Sequence, residues 1–129
     1  TEANLILSEE RLRMALDASD LGIWDWDVPS NRLYWSDGVE QLFGLSRGSF
    51  PGTYPAYIGL IYILDRGSTL RRIELSLRDH TSITIQHRVV WPDATIHWLA
   101  WTGRIYRNAD GAATRVLGIV HDTQGHTRE

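Results

Sequence analysis

After Asp79 the chain contains three long runs in which apolar and polar residues alternate: Thr81 to Trp91, Thr95 to Arg107, and Ala113 to Asp122. A side-chain period of two is the mark of a strand with one buried face, and the runs are parted only by Pro92-Asp93-Ala94 and Asn108-Ala109-Asp110-Gly111. Both breaks are built from turn residues, so the three strands follow one another as an antiparallel meander. A meander needs a cover for its apolar face, and the residues before Thr81 are read here as supplying it. With 129 residues, of which 43% are hydrophobic, the chain suffices for one compact domain and not for two.

The cover begins with Ser8 to Ser19, read as a helix. Ser8 is the candidate cap, Glu9 and Glu10 suit the first turn, and Leu12, Ala15, Leu16 and Ser19 recur at helical spacing. Leu5-Ile6-Leu7 extends the apolar face toward the N-terminus. Leu5, Ile6, Leu12 and Leu16 are therefore candidates for packing on a second surface, such as another copy of the chain.

From Gly22 the period falls to two: Trp24, Trp26 and Val28 alternate with Ile23, Asp25 and Asp27. Pro29-Ser30-Asn31 turns the chain into a short partner strand, Leu33-Tyr34-Trp35. Ser36 or Asp37 is expected to cap a brief helix through Leu42 and Phe43 that stops at Gly44. Arg47 to Thr53 reads as loop. Two further helices are expected over Pro55 to Leu64 and Asp65 to Leu77. If the first hairpin lies beside the last strand, an α+β fold results: a five-stranded antiparallel sheet with helices on one face and a hollow between the layers.

Composition narrows the chemistry. There is no cysteine, which removes disulfides, thiolate nucleophiles and light sensing through a thiol adduct. All thirteen basic residues are arginine, which excludes lysine Schiff bases and P-loop phosphate binding. A net charge of −3 and a pI near 5.9 offer no drive toward nucleic acid or anionic lipid. No apolar stretch approaches the roughly 18 residues of a membrane span, and a cytoplasmic location is expected.

Of the six tryptophans, at 24, 26, 35, 91, 98 and 101, Trp98 and Trp101 must face opposite sides of a strand, so at most half are expected to see a ligand. The five histidines show no metal-binding spacing, and no catalytic triad, nucleophile elbow or phosphate loop appears. Asp25 and Asp27 share a strand face opposite the tryptophans and are expected in solvent. His87 shares parity with Ile83, Ile85, Val89 and Trp91 and is expected as a hydrogen-bonded core residue.

Six segments in this order resemble a PAS domain of the kind found in bacterial histidine kinases and diguanylate cyclases. They are Leu21-Gly22-Ile23-Trp24-Asp25-Trp26-Asp27, Leu33-Tyr34-Trp35-Ser36, Phe43-Gly44, Arg88-Val89-Val90-Trp91-Pro92-Asp93 with Ile96-His97-Trp98, Asp110-Gly111, and Leu117-Gly118-Ile119-Val120-His121-Asp122-Thr123. The resemblance implies a non-catalytic regulatory domain over residues 21–123. Residues 1–20 would form an N-terminal helix and linker, and residues 124–129 a linker to an effector. It implies a homodimer through Leu5, Ile6, Leu12 and Leu16 with the outer sheet face. It also implies a ligand pocket drawn from Trp24, Trp26, Trp35, Tyr57, Tyr62, His87 and Trp98, and a signal junction at Asp122 and Thr123.

The resemblance names no cofactor, although haem and flavin occur among such domains. Tyr62, standing where the family carries a histidine, is then the candidate haem ligand. Three departures stand out. Tyr62-Ile63-Leu64-Asp65-Arg66 replaces the family's His-Pro-Asp-Asp-Arg. Ala94 replaces the glycine of a Pro-Asp-Gly turn, at a cost of about 1 kcal/mol if the turn geometry is kept. Gly125 interrupts the closing segment. A ligand-free dimerisation module is the alternative reading. A small cone-shaped enzyme of the ketosteroid-isomerase type is a remote one, from which the early hairpin distinguishes this chain.

Overall fold

The computed structural model describes residues 2–19 and 21–123. Helix α1 (Glu2–Ser19) is followed by the hairpin β1 (Gly22–Asp27) and β2 (Arg32–Trp35). Three helices come next, α2 (Asp37–Leu42), α3 (Tyr54–Leu60) and α4 (Ile63–Asp79). The meander β3 (Ser82–Val90), β4 (Ile96–Arg107) and β5 (Ala113–Asp122) closes the chain. The five strands form one antiparallel sheet in the order β2-β1-β5-β4-β3. The first hairpin thus lies beside the last strand, with Trp24 opposite Gly118 and Trp26 opposite Val116.

Several boundaries move. Helix α1 starts at Glu2 and not at Ser8, because Leu5-Ile6-Leu7 continues the helix in place of a leader into it. Leu5 and Leu12 are exposed, as are Leu7 and Met14. The side chains of Ile6 and Leu16 and all of residues 124–129 lie outside the described residues. Ser36 does precede α2, but its hydroxyl makes no cap bond there. It accepts the Ile23 amide at 2.9 Å and so ties β1 to the end of β2. The break between α3 and α4 falls at Ile61-Tyr62, where Ile61 bridges to Val89 and the Tyr62 amide donates to the Arg88 carbonyl at 2.8 Å. That β-type attachment to the sheet edge ends one helix before the next can start.

Two glycines permit the β-sheet to be as tight as it is. Gly103 and Gly118 pair across β4 and β5, and a Cβ built on Gly118 would stand 1.9 Å from the Thr102 carbonyl oxygen. One built on Gly103 would stand 2.7 Å from the Trp24 ring, so the indole lies where a side chain would otherwise project. The turn at Pro92-Asp93-Ala94 keeps the left-handed geometry usual for glycine, with Ala94 at φ 71°. The Asp93 carboxylate accepts the Thr95 amide and hydroxyl at 3.0 and 2.6 Å and holds the turn in place.

Candidate functional site

The inner face of the sheet carries Trp24, Trp26, Leu33, Ile83, Ile85, Leu99, Trp101 and Val116, every one of them buried. Helices α3 and α4 lay Tyr57 and Ile73 over that face. Between the layers remains a cavity of about 30 Å³, whose wall is almost wholly apolar. Four of the six tryptophans reach it: Trp24, Trp26, Trp35 and Trp101. The expected limit of half is exceeded because Trp24, Trp26 and Trp35 share one face of the hairpin and Trp101 faces them from β4.

The aromatic rings are packed against one another. Trp24 meets Trp101 edge-on at 5.6 Å, Trp26 stacks on Tyr54 at 4.7 Å, and Trp35 stacks on Phe43 at 4.7 Å and on Phe50 at 3.5 Å. Such pairs add specific geometry to the large area each ring buries. Several indole N–H groups here find an acceptor. That of Trp24 donates to the Ile119 carbonyl at 2.9 Å and that of Trp91 to the Leu42 carbonyl at 3.0 Å. The buried Nε1 atoms of Trp35 and Trp101 have no hydrogen-bond partner among the described residues.

His87 is fully buried on β3. The Tyr57 hydroxyl lies 2.8 Å from its Nε2, and its Nδ1 lies 3.3 Å from the Arg88 carbonyl. Both contacts are satisfied by the tautomer in which Nδ1–H donates to the carbonyl and Nε2 accepts from the tyrosine. Burial disfavours the charged ring and pulls its pKa down to about 4, against a smaller opposing effect of its backbone contact. Burial likewise raises Tyr57 far above the ordinary phenol range. It pushes Tyr54 up to about 12, with the Glu74 charge adding to the rise. At neutral pH these groups are therefore uncharged, and the cavity is lined by no ion.

Trp98 and Tyr62 stand elsewhere. Trp98 alternates with the buried Leu99 and Trp101 and falls on the outer face, so Trp101 takes the place expected of it. The Arg88 guanidinium lies 5.2 Å from the Trp98 ring centre and 4.6 Å from that of Tyr62. Its carboxylate partner is Asp65, whose two oxygens meet Nε at 3.0 Å and Nη2 at 2.6 Å and also accept the Arg88 amide at 2.7 Å. This pairing holds the Asp65 carboxyl below its ordinary pKa, mainly through the side-chain hydrogen bonds. Tyr62 thus belongs to a charged cluster at the α4 N-terminus and not to the aromatic cavity. Haem and flavin are each many times larger than 30 Å³, and neither fits among these rings as packed.

Period-two alternation distinguishes Trp101 from Trp98, since Leu99, Trp101, Gly103 and Ile105 form the apolar series of β4. Phe50 and Glu40 carried no such signal. Glu40 is buried and uses its two carboxylate oxygens to accept the Gly48 and Phe50 amides, each at 2.9 Å. That clamp folds the loop before α3 over Trp35. At the far end of the sheet, Asp122 pairs with Leu99, and the buried Thr123 donates its amide to the Trp98 carbonyl at 3.2 Å. Asp25 pairs with Arg115 across the outer face at 2.6 Å, and Asp27 is exposed. Among the described residues no cluster of His, Asp or Glu could hold a metal ion, and no helix is long and apolar enough to cross a membrane.

The comparisons agree with this architecture. The family model described as the PAS fold matches residues 32–120. A probable diguanylate cyclase, DgcE of Escherichia coli, is 26% identical over 113 residues, 88% of this chain and 10% of that protein. The chain therefore spans about a tenth of that relative's length. A sensory box histidine kinase/response regulator from Burkholderia thailandensis superposes with a TM-score of 0.75 at 21% identity, covering 88% of this chain and 84% of that one. The N-terminal domain of a diguanylate cyclase with PAS/PAC sensor from Marinobacter aquaeolei superposes with a TM-score of 0.71 at 14% identity, over 79% and 94% of the two chains. With its strand order, its helical cover and the match over residues 32–120, the chain belongs to the PAS family.

Proposed function

We propose that this chain is the regulatory domain of a cytoplasmic bacterial signalling protein. It catalyses nothing itself and passes the state of its interior to an effector such as a histidine kinase or diguanylate cyclase. One observation carries the reading. Strand β5 floors the aromatic cavity through Val116, and the same strand ends at Asp122, directly before the buried Thr123, where the chain leaves the sheet. A change of packing in the cavity is transmitted along this strand to whatever follows residue 123, because a packed interior repositions elements and does not absorb strain.

The domain acts as a homodimer, with Leu5 and Leu12 of α1 offered to the partner; both are exposed, at 60% and 57%. Residues 1–20 are the N-terminal coupling segment, residues 21–123 the domain, and residues 124–129 the start of the output linker.

Purified protein is denatured, and any small molecule released is identified by mass spectrometry. In parallel, thermal melts are run against a panel of small molecules. A released or stabilising ligand supports the sensor reading. If nothing is released and no compound raises Tm while the protein is dimeric, the ligand-free dimerisation module takes its place. The smallness of the cavity favours that second reading.

A further inference from the structure

Helix α1 carries an outward stripe in which Leu5, Glu9 and Leu12 follow at i, i+4 and i+7, the spacing of a single helix face. All three are exposed, and Glu9 has no ion-pair partner among the described residues. At a rise of about 1.5 Å per residue, Glu9 stands within about 6 Å of both leucines along the axis. Whatever covers those leucines covers the carboxylate with them, and a carboxylate taken out of water needs a cation beside it. The stripe therefore fits an apolar surface that holds an unpaired cation.

The outer face of the sheet offers such a surface. On β4, Thr102 and Arg104 alternate with the buried Trp101, Gly103 and Ile105, and on β5, Leu117 and Ile119 alternate with the buried Val116 and Val120. Arg104 lies opposite Leu117 and Thr102 opposite Ile119, and with Ser82 of β3 these residues line a shallow hollow. Arg104 is exposed and has no carboxylate partner among the described residues, whereas the neighbouring Arg115 is held by Asp25. Helix α4 also exposes Arg71 and Arg72, but beside Glu74 and on a convex surface.

We propose that α1 of a second copy lies across this outer face, with Glu9 on Arg104 and with Leu5 and Leu12 on Leu117 and Ile119. This rests on the dimer reading above and names the surface that receives α1. The pair forms twice in a two-fold dimer, because each copy gives one helix and one sheet. The occupant is a second copy and not the chain's own helix: among the described residues none of α1 lines the hollow, and Leu5 and Leu12 stay exposed in the single chain. Two exposed apolar faces, each with an unpaired charge of opposite sign, complement one another. The inner faces of β4 and β5 bring Trp101 and Val116 to the aromatic cavity, so the dimer contact and the interior share two strands.

The test is sedimentation velocity over a concentration series on this chain and on Glu9→Arg, Arg104→Glu, the two combined, and Leu12→Asp. All these positions are exposed, and far-UV circular dichroism checks that each variant is folded. Either charge reversal alone is expected to raise the dimer Kd by at least about tenfold, since both pairs turn from attraction to repulsion. The combined variant should regain the wild-type Kd. An equimolar mixture of the two single variants should do the same as a heterodimer, because the two reversed residues meet across one contact and the two native ones across the other.

An unchanged Kd in either charge variant, or no recovery in the combined one, overturns the proposal. If Leu12→Asp still dissociates the dimer, the dimer reading then stands without this surface. Recovery in the combined variant but not in the mixture places α1 on its own sheet and likewise overturns the proposal. A wild type that is monomeric throughout the series overturns both the proposal and the dimer reading.

Discussion

The hydroxyl of Tyr57 on α3 reaches the Nε2 of His87 on β3 at 2.8 Å in a fully buried contact, and so ties the helical cover to the sheet. Burial keeps the imidazole neutral, and with Nδ1–H on the Arg88 carbonyl Nε2 then accepts from the tyrosine. The ring's folded pKa of about 4 lies below the 6.5 of an unfolded histidine. Between those values the unfolded chain binds a proton that the native one refuses. Stability is therefore complete above about pH 6.5 and falls as pH drops toward 4, by about 3 kcal/mol over the window. Urea melts at pH 7.5 and pH 5 should show about 2 kcal/mol of that fall, since pH 5 lies part-way down the window, and His87→Gln should flatten it. A profile equally steep in the variant overturns the assignment. The Asp65 pairing loses stability only at still lower pH, below the ordinary carboxylate range, because its folded pKa is depressed.

Asp65 accepts three hydrogen bonds from one residue, Arg88, through its amide and guanidinium. Asp65→Ala leaves that amide without its acceptor and the α4 N-terminus without its anion. A loss of about 2 kcal/mol is expected, which lowers Tm by about 10 °C in a domain of this size. Asp65→Asn keeps an acceptor and should fall between the two. Differential scanning calorimetry of the three proteins ranks them.

Ala94 holds φ 71° in a turn closed by Asp93 and Thr95. Ala94→Gly removes the clash of a Cβ in left-handed backbone, and about 0.5–1 kcal/mol of stabilisation remains after the greater freedom of glycine in the unfolded chain is counted. A denaturation midpoint at or below that of the wild type contradicts the geometry.

At Gly118 the opposite sign is expected. A Cβ there collides with the backbone oxygen of Thr102 across the central strand pair, and backbone cannot rotate away as a side chain can. Gly118→Ala should lose more than about 4 kcal/mol and the native tryptophan fluorescence with it. Gly103→Ala meets side chains and no backbone, the Trp24 ring at 2.7 Å and a Val116 methyl at 3.0 Å, and should be milder, with the indole displaced.

Strand periodicity and turn chemistry made the meander, the early hairpin and the inward face of His87 legible from residues alone. Side-chain alternation depends only on local backbone geometry and survives in any sheet of this kind. The positive φ at Ala94 was legible through the resemblance, which puts a glycine at that turn position. The family was legible in six ordered segments. The α1 start was not, because nothing between Glu2 and Ser8 stops a helix, and a better cap inside a helix does not begin one.

What the tertiary structure decided is which rings meet. That Phe50 lies on Trp35, that Trp101 and not Trp98 walls the cavity, and that Tyr62 turns to Arg88 all depend on contacts between residues far apart in the chain. Packing of this sort is set by complementary volumes and by which buried polar groups find partners, neither of which is encoded in the local pattern of any one segment. The residues by themselves determined a sheet with an aromatic face. Only the fold left two indole donors on that face unpaired among the described residues, beneath a loop held by Glu40.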